Sequence, residues 1–124
     1  MKKILCMDWG GTFMKYALMD EEGKILSSSK VKSPGKGDSK EVLLSCLDKI
    51  VYSFEDIDGI AISSAGVIDS KNGVIEAIGI FPYLNGCAVC EELQERYKVK
   101  VTIENDARCA LGAEVWKGNL QDVQ

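Results

Sequence analysis

The order in which strand and helix patterns follow one another is the strongest constraint on how this chain folds. Three strand patterns come first, and amphipathic helical stretches then separate two further strands. Strands joined by tight turns pair antiparallel, whereas a strand reached through a crossover helix pairs in parallel. The order β-β-β-α-β-α-β-α therefore predicts an α/β fold: a mixed five-stranded sheet, with three antiparallel N-terminal strands, two parallel strands and helices on its faces.

The first three strands are predicted at 3–8, 13–20 and 24–32, with turns at Gly10-Gly11 and Glu21-Glu22-Gly23. Asp38 and Glu41 form a predicted capping pair for the first helix, and strands follow at 58–63 and 99–103. Residues 67–69 lie between turn signals and predict a loop with a small hairpin. Three helices are predicted from the apolar stripes Leu43, Leu47, Ile50, Val51, Phe54, then Val89, Leu93, Tyr97, then Ala107, Ala110, Leu111.

Length, charge and cysteine usage narrow the class of protein. The chain has 124 residues, 46% of them apolar, which indicates one globular domain. Lys and Arg number 15 against 19 Asp and Glu, so the net charge of −4 gives no general attraction to nucleic acid or anionic membranes. Five cysteines, no signal peptide and no long apolar run predict a protein of the reducing cytoplasm that does not span a membrane.

The segment Asp8-Trp9-Gly10-Gly11-Thr12 is the first candidate site. Glycines allow backbone N–H groups to approach phosphate oxygens, Thr12 can donate a hydrogen bond, and Asp8 can hold Mg²⁺ or its water. Lys15 adds a positive charge on the next strand. The alternative interpretation is a tight hairpin turn with no ligand.

Two further polar clusters fall at predicted strand ends, where ligands collect in sheets of this type. Asn105 can bind a substrate hydroxyl, and Asp106 can accept the proton of an attacking hydroxyl. Both residue types are also common helix caps, so capping is the alternative. Ser63, Ser64, Ala65 and Gly66 can present hydroxyls and amides to a polyol, or form a plain turn.

Two other motifs favour structural interpretations. Cys87 and Cys90 have zinc or redox spacing, but the chain has neither a second such pair nor a histidine, so we predict two cysteines at a helix start, one of them buried, and no zinc site. A basic stretch is expected to be the solvated edge of a loop. It comprises Lys30, Lys32, Lys36 and Lys40.

Taken together, the three clusters resemble the ROK family of sugar kinases and related repressors, within the actin-like, ribonuclease H-like ATPase fold. The first segment, with Lys15, resembles the family's phosphate motif, and 62–69 followed by 73–75 resembles its sugar-side loop. The segment from Glu104 to Ala107, with Cys109, Ala110 and Glu114, resembles the part that carries the catalytic aspartate. The similarity runs from about Lys3 to Lys117.

The resemblance implies an ATP-dependent hexose kinase that uses Mg²⁺ and acts on a glucose-like sugar or an amino-hexose. Asp106 would be the catalytic base that also contacts the sugar. The ATP phosphates would lie at Asp8, Gly10, Gly11, Thr12 and Lys15, with Mg²⁺ at Asp8, and the sugar at Ser63, Ser64, Ala65, Gly66 and Asn105.

The family also has a second large domain, so we expect residues 1–124 to be the N-terminal lobe, inactive without its C-terminal lobe. The family commonly forms dimers, which implies a homodimer. Two alternatives stay open: a sugar-sensing transcriptional regulator of the same family, and a free-standing sugar- or phosphate-binding module. The regulators carry an N-terminal helix-turn-helix segment, whereas Met1 here directly precedes the first strand, which favours the kinase.

Overall fold

The computed structural model describes residues 2–105, which form seven strands, two α-helices and one short 3₁₀ helix. The third predicted helix and Asp106 lie outside the described residues. In chain order the elements are β1 (Lys3–Trp9), β2 (Phe13–Asp20), β3 (Ile25–Lys32), α1 (Lys40–Val51), β4 (Gly59–Ser64), β5 (Val67–Asp69), β6 (Val74–Ala77), the 3₁₀ helix (Pro82–Leu84), α2 (Val89–Tyr97) and β7 (Lys100–Asn105).

Five of the strands form one mixed sheet in the order β3-β2-β1-β4-β7. β2 is antiparallel to both β1 and β3, whereas β4 pairs in parallel with β1 and with β7. The predicted mixed sheet is therefore confirmed. The parallel pairing brings the carboxyl ends of β1, β4 and β7 to the same edge of the sheet.

The main hydrophobic core lies on one face of the sheet, which we call the core face. Leu5, Met7 and Trp9 of β1 point into this core, together with residues of α1 and α2. Ile4 and Cys6 point to the opposite face, where Met19 and Ala61 pack against them. Because side chains alternate along a strand, each central strand separates a buried set of residues from a second set on the other face.

Helix α1 begins differently from the prediction. Ser39, not Asp38, is its N-cap, with the Ser39 hydroxyl accepting a hydrogen bond from the Val42 N–H at 3.3 Å. The Asp38 carboxylate instead accepts from the Gly35 N–H at 2.6 Å and closes the preceding turn. The predicted apolar stripe holds within the helix, where its buried residues are Leu43, Leu47, Ile50 and Val51.

The segment between β4 and α2 folds back on itself. β5 and β6 form the small antiparallel hairpin that the turn signals predicted, and an isolated bridge pairs Ile75 with Cys87. The Asn85 side chain accepts a hydrogen bond from the Ile78 N–H at 2.8 Å. These contacts fix the loop that follows Gly66 against the start of α2. Neither α1 nor α2 is long and apolar enough to cross a membrane.

Candidate functional site at the strand ends

The polar residues of the three predicted clusters meet at the carboxyl edge of the parallel strands. In the sheet register Asp8 of β1 lies beside Ser63 of β4, and Ser63 lies beside Glu104 of β7. On the other side of β1, Lys15 is the partner of Asp8, and Lys30 is the partner of Lys15. We call this line of residues, on the face opposite the core, the polar row: Lys30, Lys15, Asp8, Ser63 and Glu104.

At the next register position, Asn105 lies at the same edge of the sheet. Ser64 is the partner of Trp9 on one side and of Asn105 on the other. Asn105 was expected at a strand-to-helix junction, but β7 extends through it and pairs it with β4. The sheet itself therefore sets the position of the residue that directly precedes Asp106.

A tight turn connects β1 to β2 and exposes backbone to solvent. The Gly10 N–H donates to the Phe13 carbonyl at 3.1 Å, and Gly11 and Thr12 are exposed. A side chain at Gly10 would place its Cβ 2.8 Å from that same carbonyl oxygen, so only glycine fits the turn without a shift. The turn satisfies the geometry of a hairpin and also leaves backbone accessible to a ligand.

Ser33 holds this turn from the side, a role that the sequence pattern did not reveal. Its hydroxyl donates to the Gly10 carbonyl at 2.5 Å, and its N–H donates to the Thr12 carbonyl at 2.9 Å. Ser33 is buried, and it follows directly after β3. A serine before a Pro-Gly turn has no distinctive sequence signal, because its partners lie 21 to 23 positions earlier in the chain.

Asp8 and Lys15 are exposed and line an open groove of about 580 Å³ on the face opposite the core. No group of three or more His, Cys, Asp or Glu side chains arranged for a metal ion occurs within residues 2–105. A single exposed carboxylate still suits Mg²⁺, which keeps several waters and commonly binds through one or two carboxylates together with substrate phosphates. Asp8 therefore fits a Mg²⁺–phosphate complex.

The serines of the second cluster are less accessible than predicted. Ser63 and Ser64 belong to the end of β4 and are 4% and 0% exposed, and the Ser64 hydroxyl donates to the Ala65 carbonyl at 3.1 Å. Gly66 is the exposed residue of the cluster, and Ala65 is half-buried. The backbone of Ala65 and Gly66 is thus the accessible part of this loop.

A hydrogen bond joins the second and third clusters. The Asn105 side-chain amide donates to the Gly66 carbonyl at 2.6 Å, across 39 positions of sequence. Gly66 has φ +105°, and a Cβ there would overlap the Ala77 carbonyl oxygen of β6. The structure therefore brings Asn105 and the loop at Gly66 into direct contact, as their separate positions at strand ends led us to expect.

Aromatic packing connects the glycine turn to the segment after β6. Trp9 and Phe81 make an edge-to-face contact with ring centroids 6.2 Å apart, and a Cβ at Gly11 would lie 3.3 Å from the Ile80 side chain. The buried Trp9 indole N–H has no hydrogen-bond partner within residues 2–105. The turn therefore rests directly on the segment that follows the hairpin.

The two remaining motifs are the cysteine pair and the basic stretch. Cys90 is buried in the first turn of α2, where burial raises its thiol pKa to about 11, and Cys87 precedes the helix at an intermediate depth. The predicted arrangement of these cysteines is confirmed.

The basic stretch is not one loop edge. Lys30 and Lys32 belong to β3, and Lys40 begins α1 with an ion pair to Glu92 at 2.8 Å.

Comparison with known proteins identifies the family. The family model described as ROK family matches residues 4–124. The chain belongs to the ROK family. Over 98% of its length this ROK chain is 32% identical to a beta-glucoside kinase of Klebsiella pneumoniae, and over 94% it is 30% identical to a glucokinase of Thermotoga maritima. It covers 40% and 37% of those two proteins, so the ROK chain spans about 40% of the length of the curated relatives that it matches.

Solved structures of ROK proteins have the same fold. A Streptococcus pneumoniae ROK family protein in complex with sucrose is 36% identical, with a TM-score of 0.74 over 86% of this chain and 35% of that one. A ROK family glucokinase of Streptomyces griseus in complex with glucose and AMPPNP is 26% identical, with a TM-score of 0.72 over 85% of this chain and 33% of that one. The actin-like ATPase fold implied by the sequence motifs is thereby confirmed.

Proposed function

We propose that this chain is the N-terminal lobe of an ATP-dependent sugar kinase that transfers the γ-phosphoryl group of ATP to a hydroxyl of a glucose-like sugar or an amino-hexose. The observation that carries the proposal is the contact of Asn105 with Gly66 at the same sheet edge that presents Asp8 and the glycine turn. One edge thus combines an amide side chain and loop backbone that can bind hydroxyls with an exposed turn that can bind phosphates. Relatives named as sugar kinases support the same activity.

In this proposal the glycine turn and Lys15 bind the phosphate oxygens. The exposed backbone at Gly11 and Thr12 approaches the phosphate chain, and the Thr12 hydroxyl donates a further hydrogen bond. Bound Mg²⁺, held by Asp8 directly or through water, would neutralise charge on the phosphates. Ser33 keeps the turn in position for this contact through its two hydrogen bonds.

In this proposal the sugar lies on the β4 side of β1, whereas the phosphates lie at the turn between β1 and β2. The sugar contacts Asn105 and the loop from Ser63 to Gly66. Because Asn105 donates to Gly66, its amide oxygen is oriented by a fixed partner and can accept from a sugar hydroxyl. Asp106 follows Asn105 directly and would take the proton of the attacking hydroxyl. Phosphoryl transfer depends mainly on positioning and charge neutralisation, so an ordinary carboxylate suffices as the base.

The test is ADP formation by the longest protein that contains these 124 residues, with Mg²⁺, ATP and a panel of hexoses and amino-hexoses. We expect sugar-dependent turnover that falls at least about 100-fold in Asp106→Asn, which removes the base. Asp56→Asn makes the same chemical change in an exposed loop and serves as the matched control. Turnover that no sugar stimulates, or that survives Asp106→Asn unchanged, would show that the proposal is wrong.

A further inference from the structure

Residues 78–81 connect β6 to the 3₁₀ helix and lie against both loops of the candidate site. They belong to neither a strand nor a helix, and we call them the connecting segment. Gly66, the last residue of the proposed sugar-binding loop, packs closely on the start of this segment, so that a Cβ at Gly66 would lie 3.1 Å from the Ile78 Cα. The conformation of that loop therefore depends on where Ile78 lies.

The glycine turn rests on the other end of the connecting segment. A Cβ at Gly11 would lie 3.3 Å from the Ile80 side chain, and the Phe81 ring packs edge-to-face against Trp9, the residue that precedes the turn. Phe81 and Trp9 are both buried in the main core. Because close-packed side chains leave little room for independent movement, a shift of the connecting segment would also shift the glycine turn.

Asn85 holds the connecting segment in place from a position outside it. Its side-chain oxygen accepts a hydrogen bond from the Ile78 N–H at 2.8 Å, across 7 positions of sequence. Ile78 is 2% exposed, so without this acceptor its N–H would be buried and poorly solvated. A buried donor that loses its partner costs more free energy than the bond contributes, so the segment would move until the N–H reached another acceptor. Asn85 itself is exposed, so its hydrogen bond and not its burial supports the segment.

We propose that Asn85 is a positioning residue for both substrates. Through Ile78 it fixes the connecting segment, and the two ends of that segment support the loop at Gly66 and the turn at Gly11. This inference rests on the proposed function, which assigns that loop to the sugar and that turn to the donor phosphates. In this arrangement Asn85 contacts neither ligand. A substitution confined to one loop therefore weakens the binding of one ligand, whereas loss of the Asn85 acceptor weakens the binding of both.

The test measures ligand binding to the longest protein that contains these 124 residues by titration calorimetry. Glucose probes the loop at Gly66, and inorganic tripolyphosphate with Mg²⁺ probes the glycine turn without a nucleoside. Asn85→Ala removes the acceptor and should raise both dissociation constants about fivefold, the equivalent of one hydrogen bond. Asn85→Asp keeps an acceptor oxygen in the same place and should restore both to within about twofold of wild type.

Asn72→Ala is the matched control. Asn72 is also an exposed asparagine, and its side-chain amide donates to Asp69 at 2.8 Å in the turn of the β5–β6 hairpin, away from the connecting segment. Its substitution should change both dissociation constants by less than about twofold. If Asn85→Ala does not fold, Asn85→Gln takes its place, because it keeps the amide but displaces the oxygen, and it should weaken both probes.

Three results would overturn the role of Asn85: the wild-type protein binds neither probe, Asn85→Ala weakens the binding of only one probe, or Asn85→Asp fails to restore the binding of both. The last result would show that the acceptor oxygen is not what positions the loops. Failure of the proposed function is a separate outcome. If the Asn85 variants change the binding of both probes as expected but no sugar stimulates ADP formation, Asn85 positions both loops and the kinase proposal is wrong.

Discussion

On the core face of the sheet Leu5, Met7 and Trp9 are at most 1% exposed, whereas on the opposite face of the same strands Asp8 and Lys15 are open to solvent. The core face is covered by two helices and consists almost entirely of apolar side chains. The opposite face carries the polar row near the carboxyl ends of β1 and β4, and the smaller apolar cluster of Ile4 and Cys6 toward the start of β1. Along the end of β1, buried Met7 and Trp9 thus flank exposed Asp8, so substitutions at neighbouring residues should have separable effects.

The largest expected effect is the difference in unfolding free energy between substitutions at Ile103 and at Thr102. These residues are adjacent in β7 but point to opposite faces. Ile103 is 1% exposed on the core face, and Thr102 is exposed. Ile103→Ala should lower the free energy of unfolding by about 3 kcal/mol, because it removes buried methyl groups and leaves a cavity. Thr102→Ala should change it by less than about 0.5 kcal/mol. Urea unfolding of the two variants measures the difference, and equal losses would contradict the separation of the two faces.

A second prediction concerns the loop that connects the faces. Gly66→Ala forces a side chain onto a residue with φ +105° and against the Ala77 carbonyl, which should cost about 2 kcal/mol of unfolding free energy. The displaced Gly66 carbonyl would also lose its hydrogen bond from Asn105. We therefore expect sugar affinity to fall by more than tenfold while tripolyphosphate affinity is unchanged, as measured by titration calorimetry.

Gly79→Ala is the matched control for this change. Gly79 has open space around the position of a Cβ, so its substitution should leave both the free energy of unfolding and sugar affinity near their wild-type values. If Gly66→Ala weakens sugar and phosphate binding to the same extent, the sugar side and the phosphate side of the edge are not independent. If it behaves like Gly79→Ala, the loop conformation is not restricted by this glycine.

The fold was predictable because local patterns and chain order agree. Local patterns predict each element: the apolar run from Ile4 to Met7 predicts β1, the amphipathic stripe predicts α1, and the β-branched residues predict β7. The crossover rule then predicts which strands pair in parallel. The predicted start of α1 was wrong because Asp38 and Ser39 are both good caps, and the Asp38 carboxylate instead accepts a hydrogen bond from the Gly35 N–H within the preceding turn.

The candidate site was predictable only in part. Strand ends indicate where Asp8, Gly66 and Asn105 gather, but residue types do not report burial, and Ser63 and Ser64 prove to be buried. Ser33 reaches the site through hydrogen bonds to the Gly10 and Thr12 carbonyls, and Lys30 through its register with Lys15; residue types alone indicate neither contact. The predicted role of Asp106 stays a prediction, because that residue lies outside the described residues.

The smallest expected effect tests whether the helices on the core face act independently of the site. Asp48 of α1 accepts two hydrogen bonds from the Arg96 guanidinium of α2, at 2.8 and 2.6 Å, and a third from the Tyr97 hydroxyl at 2.7 Å. Chiefly through Arg96, this arrangement lowers the pKa of Asp48 below its ordinary value of 3.8. The stabilisation is therefore complete above about pH 4 and is lost as the pH falls through the lowered pKa of the folded state.

Asp48→Asn should reduce the free energy of unfolding by about 1 kcal/mol at pH 7, because both partners remain partly exposed to solvent. The difference from wild type should shrink as the pH falls below 4, since protonation removes the same negative charge from the wild-type chain. Urea unfolding between pH 2 and 7 measures this, with Asp56→Asn as the control. A constant difference at every pH would show that Asp48 acts through packing alone, and altered tripolyphosphate affinity at pH 7 would show that the core-face helices are coupled to the polar row.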